Sequence, residues 1–166
     1  MQKDCCFTNE NNWFRYRTAA IIEENGCVLF VTSKGVDYFY TVGGGVHMGE
    51  KAEDCIKREV LEETGIEYEV DHLAMVVENF FTGNFGSVDK MDCHCLEFYF
   101  VMKSRGSQEL KGNSINADNE QEELHWIPVS DLQKTNIKPS FLRERLPEIL
   151  NTRQIIHVVT DVDRVN

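Results

Sequence analysis

Residues 44–66 read GGVHMGEKAEDCIKREVLEETGI. A glycine-rich turn runs into a short stretch dense in glutamate. Glu59, Glu62 and Glu63 stand at i, i+3 and i+4. On a helix turning about 100° per residue they crowd one side. Like charges at that spacing repel by roughly 0.2–0.5 kcal/mol per pair. A chain that keeps such a cluster needs something to neutralise it, and a hard divalent cation is the simplest candidate. Taken alone, the same glutamates would also suit a solvated helix face; the glycine turn, Arg58 and Gly65 together favour a site.

Outward from this stretch the pattern is mixed. Arg15–Glu23 and Cys27–Thr32 read as strands joined at Asn25-Gly26, a two-residue hairpin signal. Tyr38–Val42, aromatic and β-branched, reads as a third strand entering the glycines. A helix is expected over Ala52–Thr64, with Gly65 as a left-handed cap. Strands are then expected at Glu67–Glu78, Cys93–Met102, Leu124–Val129 and Ile155–Val159, and a helix from Pro139 to Arg145, interrupted or restarted at Pro147. Residues 1–13 read as irregular, Asn79–Asp92 as a loop, and Ser104–Glu120 as a long polar loop. With 166 residues, no repeat and no linker, the chain reads as one domain of α/β class, an α/β/α sandwich with a mixed sheet.

The totals narrow the functions. There are 28 acidic residues against 17 Lys plus Arg, a formal net charge of −11. Sequence-independent binding to nucleic acid needs a basic surface and is not expected. Small phosphorylated ligands remain compatible, because a bound metal inverts local charge. The six cysteines form no CxxC pair. Cys93, His94 and Cys95 could suggest zinc, but their spacing lacks the usual pattern, and reduced apolar cysteines are the plainer reading. No leader and no membrane-length apolar run is found, so a cytoplasmic protein is expected, monomeric or homodimeric.

Gly44, Glu50, Arg58-Glu59-Val60, Glu62-Glu63 and Gly65-Ile66 resemble the Nudix box at every defined position. The resemblance covers only this stretch, but its spacing is highly specific. It implies an α/β/α sandwich and Mg²⁺- or Mn²⁺-assisted hydrolysis of a nucleoside diphosphate joined to another moiety. It implies that Glu59, Glu62 and Glu63, with the carbonyl near Gly44, ligate metal. Arg58 would orient glutamates, Glu50 would assist, and Glu62 would take part in catalysis. A further acidic residue is often supplied ahead of the last sheet strand in this family; of Glu120, Glu122 and Glu123, Glu120 is preferred by position. Arg17, Tyr40 and His47 are candidate substrate contacts, against the plainer readings of surface arginine, core aromatic and turn residue. Val42 stands where the family commonly has proline, and His47 where it often has an acid. Markers common among ADP-ribose, dinucleoside-polyphosphate, NADH and coenzyme A members are missing, so the substrate stays open. A catalytically silent nucleotide sensor and a protein-interaction domain are the alternatives.

Overall fold

The computed structural model describes residues 3–84, 86–112 and 121–165. Its elements are β1 (Cys6–Asn9), β2 (Asn12–Ile21), β3 (Glu23–Glu24), β4 (Cys27–Ser33), α1 (Ala52–Thr64), β5 (Val70–Thr82), β6 (Asp92–Met102), β7 (Glu122–Pro128), α2 (Leu142–Ile149) and β8 (Ile156–Asp163). A five-stranded sheet has the order β1-β2-β6-β5-β8, and a three-stranded sheet the order β3-β4-β7. The larger sheet is mixed: β2 runs parallel to β6 and β5 parallel to β8, while β1/β2 and β5/β6 are antiparallel.

Side-chain alternation along the strands builds two cores. Ala19 and Ile21 of β2 and Val28 and Phe30 of β4 join one cluster with Leu142, Leu146 and Ile149 of α2. Their neighbours Ala20, Ile22, Leu29 and Val31 join the other, with Ile56 and Val60 of α1. One helix therefore covers each side of the strands, as the sandwich requires. Asn25 (φ 54°) and Gly26 (φ 78°) form the expected hairpin turn. Gly65 caps α1 in the left-handed region (φ 68°), its N–H donating to the Leu61 carbonyl.

Several expected boundaries move. The N-terminal segment is not irregular throughout: Cys6–Asn9 is a strand that turns at Glu10-Asn11 and pairs with β2. All four of its residues are exposed, so it has no apolar alternation to read. Tyr38–Val42 forms only isolated bridges, Val31 with Tyr40 and Phe39 with Ile137. The segment is wedged between two partners, and neither pairing continues. β5 extends to Thr82, so Phe80 and Phe81 belong to a strand rather than a loop. The C-terminal helix begins later than expected, at Leu142, and contains Pro147. β8 continues to Asp163. Zinc at Cys93–Cys95 is not supported: both cysteines are buried, while His94 stacks on Phe80 at 4.3 Å. Strand alternation turns the ring away from the thiols.

The described start of the Ser104–Glu120 segment is fastened to the core. Buried Glu24 accepts hydrogen bonds from Ser104 Oγ (2.7 Å), the Arg105 and Gly106 amides (2.7 and 2.8 Å) and Tyr68 OH (3.3 Å). Burial alone would raise its pKa, but these donors, led by the Arg105 amide, bring it below the usual 4.5. We predict that Glu24→Ala lowers stability by about 3 kcal/mol, read by urea unfolding, because the donors lose a charged acceptor. A depressed carboxylate pKa stabilises above the unfolded value, so this contribution fades as pH falls below 4.5. A loss no larger in the mutant at pH 7 than at pH 3 would contradict the assignment.

Candidate active site

The glycine turn is held along β2. Ala20 and Thr18 amides donate to the Val42 and Gly44 carbonyls at 2.9 Å each, and the Val46 amide donates to the Tyr16 carbonyl at 3.1 Å. This places α1 with its glutamates against the turn. A Cβ at Gly44 would overlap the Glu59 carboxylate, and one at Gly43 would overlap the Thr18 carbonyl. Gly43, against backbone and at a φ of 140°, needs glycine for this close approach, whereas at Gly44 the flexible Glu59 side chain could give way.

Arg58 is the hub. Its Nε and Nη2 donate to Glu50 Oε1 and Oε2 at 2.9 and 3.0 Å, a bidentate pair. Its Nη1 donates to Glu59 Oε1 at 2.6 Å and Glu62 Oε2 at 3.4 Å, and Nη2 also reaches the Gly45 carbonyl at 3.3 Å. The Arg58 hydrogen bonds, with help from the His47 amide, hold Glu50 down to a pKa of about 2. Glu63 lies deeper, with Oε1 accepting from the Gly43 amide at 2.9 Å. Burial pushes its pKa up to about 8, and the like charges of Glu122 and Glu59 add to the shift. Burial also raises Glu59, against the opposing charge of Arg58. Glu62 is more than half exposed.

Oxygen donors converge on one region, and the buried Glu63 carboxylate has no cation at hydrogen-bond distance among the described residues. Carboxylate and carbonyl oxygens of this kind suit a hard divalent ion. Among the described residues, no three His, Cys, Asp or Glu side chains already close on one point. Glu59 is turned toward Arg58 instead.

A family model described as the NUDIX domain matches residues 14–148. The chain belongs to the NUDIX family. Solved structures agree on this Nudix fold. A UDP-X diphosphatase superposes with a TM-score of 0.58 at 18% identity, covering 87% of this chain and 66% of that one. The chain thus spans just under two-thirds of that protein. A MutT NUDIX hydrolase from Burkholderia pseudomallei gives a TM-score of 0.60 at 22% identity, covering 78% of this chain and 95% of that one. An ADP-ribose pyrophosphatase from Streptococcus suis gives 0.58 at 15% identity, covering 88% and 98%. Among curated proteins, none matches this sequence significantly.

The other expected residues of the Nudix site fall in different places. Arg17 is largely buried, with Nη2 donating to the Thr41 carbonyl at 3.0 Å and Nη1 3.8 Å from Glu97. Tyr40 is partly buried and its hydroxyl donates to Glu122 Oε1 at 2.7 Å. His47 sits between Asp4 (3.5 Å) and Glu50 (3.6 Å), on the side of the turn facing the N-terminal segment. Glu120 lies outside the described residues. Glu122, passed over for it in the sequence, is the member of that acidic run, among the described residues, whose charge reaches Glu63. On the alternating strand β7, Glu122, Leu124 and Trp126 share a face that Glu123 does not, and Leu124 and Trp126 pack on the α1-side core. Asp4 and Glu97 carried no sequence signal, since their partners are distant in the chain.

Proposed function

We propose that this Nudix protein is a divalent-metal-dependent pyrophosphohydrolase acting on the diphosphate linkage of a nucleoside diphosphate derivative. The observation that carries the reading is the buried Glu63, fixed by the Gly43 amide, with the Glu59 carboxylate packed against Gly44. Glu59, Glu62, Glu63 and the Gly44 carbonyl would hold Mg²⁺ or Mn²⁺. When bound, such an ion neutralises phosphate oxygens and lowers the pKa of a water. Arg58 orients Glu59 and Glu62, and Glu50 anchors Arg58 while accepting the His47 amide. Glu122 and Glu120 are the candidates for accepting a proton from the attacking water. The cleft side of β2 and Tyr40 would face the organic moiety. The fold shared with a UDP-X diphosphatase and an ADP-ribose pyrophosphatase supports the reaction class without choosing a substrate. Among the described residues, no helix is long and apolar enough to cross a membrane.

The test is a panel of nucleoside triphosphates, nucleotide sugars and dinucleotides with Mg²⁺ or Mn²⁺, with products identified by mass. Glu62→Gln is expected to fold normally, because the side chain is exposed, and to lose about 100-fold in kcat on the best substrate. Equal turnover by both proteins would remove Glu62 from the chemistry. No turnover of any member by the native protein would sink the hydrolase reading.

A further inference from the structure

The sheet beside the glycine turn holds charge that packing alone does not need. Glu97, in the middle of β6, is 3% exposed. Its Oε1 accepts from Asn79 Nδ2 at 3.0 Å and its Oε2 from Tyr99 OH at 2.6 Å. Asn79 and Tyr99 are themselves buried. The nearest cation is Arg17, its register partner on β2, with Nη1 3.8 Å from Glu97 Oε2. Taking such a pair out of water costs several kcal/mol per ion, and apolar residues of the same volume often fold as well. Its place in the fold suggests what it does.

Residues 41–46 run beside β2, but only alternate residues bond to that strand. Val42 and Gly44 carbonyls and the Val46 amide face β2. The intervening groups face away, and side chains serve them where a further strand would otherwise stand. Arg17 Nη2 donates to the Thr41 carbonyl, the Gly43 amide donates to Glu63, and Arg58 Nη2 donates to the Gly45 carbonyl. Thr41 Oγ1 is buried with no hydrogen-bond partner, so its hydroxyl does not help to hold this residue. Two residues on, Gly43 has no room for a Cβ and a φ of 140°, so its amide direction follows from the path of the chain before it.

We propose that Glu97 is a positioning residue of the Nudix site. Through Arg17 it holds the outer edge of the glycine turn, and with it the Gly43 amide and Glu63. Arg17 is then a braced strut in the cleft wall, before any contact it makes with substrate. The proposal rests on the Glu63 role given above.

The experiment compares native protein with Glu97→Gln and Tyr99→Phe, the second removing one hydroxyl and no charge. Amide exchange at Gly43, Mn²⁺ affinity by electron paramagnetic resonance, and steady-state kinetics are read together. Glu97→Gln is expected to speed Gly43 exchange about tenfold, weaken Mn²⁺ about tenfold and lower kcat about tenfold with KM little changed. Tyr99→Phe should move all three in the same direction by less. In an Arg17→Met background, adding Glu97→Gln should change Gly43 exchange no further, because Glu97 acts through Arg17. Native Gly43 exchange in Glu97→Gln overturns the proposal whatever the turnover, and so does a lowered Tm with exchange unchanged. If Glu97→Gln fails to fold, Tyr99→Phe decides by the same exchange criterion. A native protein inert on every substrate would sink the hydrolase reading and leave the exchange comparison standing.

Discussion

Replacing Arg58 with alanine is expected to lower kcat by about 1000-fold, the equivalent of roughly 4 kcal/mol of lost transition-state stabilisation. The side chain serves five groups at once: Glu50 through two bonds, Glu59, Glu62, the Gly45 carbonyl and the Cys55 thiol. Without it, Glu50 and Glu59 remain partly buried with no guanidinium between them, and they repel. Glu59 then has no reason to stay beside Gly44. Lysine cannot substitute, because a point charge cannot make the bidentate contact to Glu50 while also reaching Glu59. Arg58→Lys should therefore keep the fold and still lose about 100-fold in kcat. Acid unfolding supplies an independent readout. Glu50 is held at about 2, so its pairing stabilises the native state above the usual 4.5 and is lost as pH falls through 2. That part of the acid transition should vanish in Arg58→Ala. A lysine variant with native kcat would show that the fork geometry is irrelevant.

The second large effect is on metal affinity. Glu63 keeps its proton up to about pH 8 in the metal-free protein, mainly through burial. A divalent ion must displace that proton. Mn²⁺ affinity should therefore rise about tenfold per pH unit below 8 and level off above it. The sign for stability is opposite. An unfolded glutamate ionises near 4.5, so between 4.5 and 8 the native state holds the extra proton and metal-free stability falls as pH rises. Metal reverses the trend by favouring the ionised form. Titration of Mn²⁺ at pH 6, 7, 8 and 9, by calorimetry, tests this, with Glu63→Gln as control. The control should bind weakly with a much flatter pH dependence; an equally steep one would place the displaced proton elsewhere.

The helix, its glycine cap and the hairpin at Asn25-Gly26 were legible because each depends on local chemistry. A left-handed glycine, an Asn-Gly turn and carboxylates one helical turn apart need no knowledge of the rest of the chain. The missed features depend on contact across the sheet. β1 is exposed along its whole length and shows no alternation. Tyr38–Val42 has strand composition but shares its backbone groups between Val31 and the 136–138 segment. Phe80 and Phe81 read as loop because glycine and asparagine follow them, yet pairing with His94 and Cys93 carries β5 past that point. In the site, the crowding of the box glutamates follows from their spacing, and the pairing of Arg58 with them is what the resemblance implies. The Arg17–Glu97 pair was not legible, because a parallel register sets those residues side by side across a long intervening stretch. Glu120 lies outside the described residues; between Glu122 and Glu123, the alternation of β7 sets Glu122 on the face it shares with Leu124 and Trp126.

The parity of β2 has a consequence for how this protein can change. Odd-numbered Arg17, Ala19 and Ile21 belong to the Thr41 contact and to the α2-side core, and even-numbered Thr18 and Ala20 to the α1 side. Substitutions alter one face at a time. A change in length does not: deleting Tyr16 sends every residue on one side of the cut to the opposite face. The arginine bonded to the Thr41 carbonyl and the threonine beneath the box would exchange surroundings together. We expect that deletion to abolish cooperative unfolding, whereas Tyr16→Phe should remain folded, with circular dichroism during a thermal ramp as the measurement. Divergence in this family member can therefore proceed by swapping residues along β2, while insertions and deletions are confined to its flanking turns.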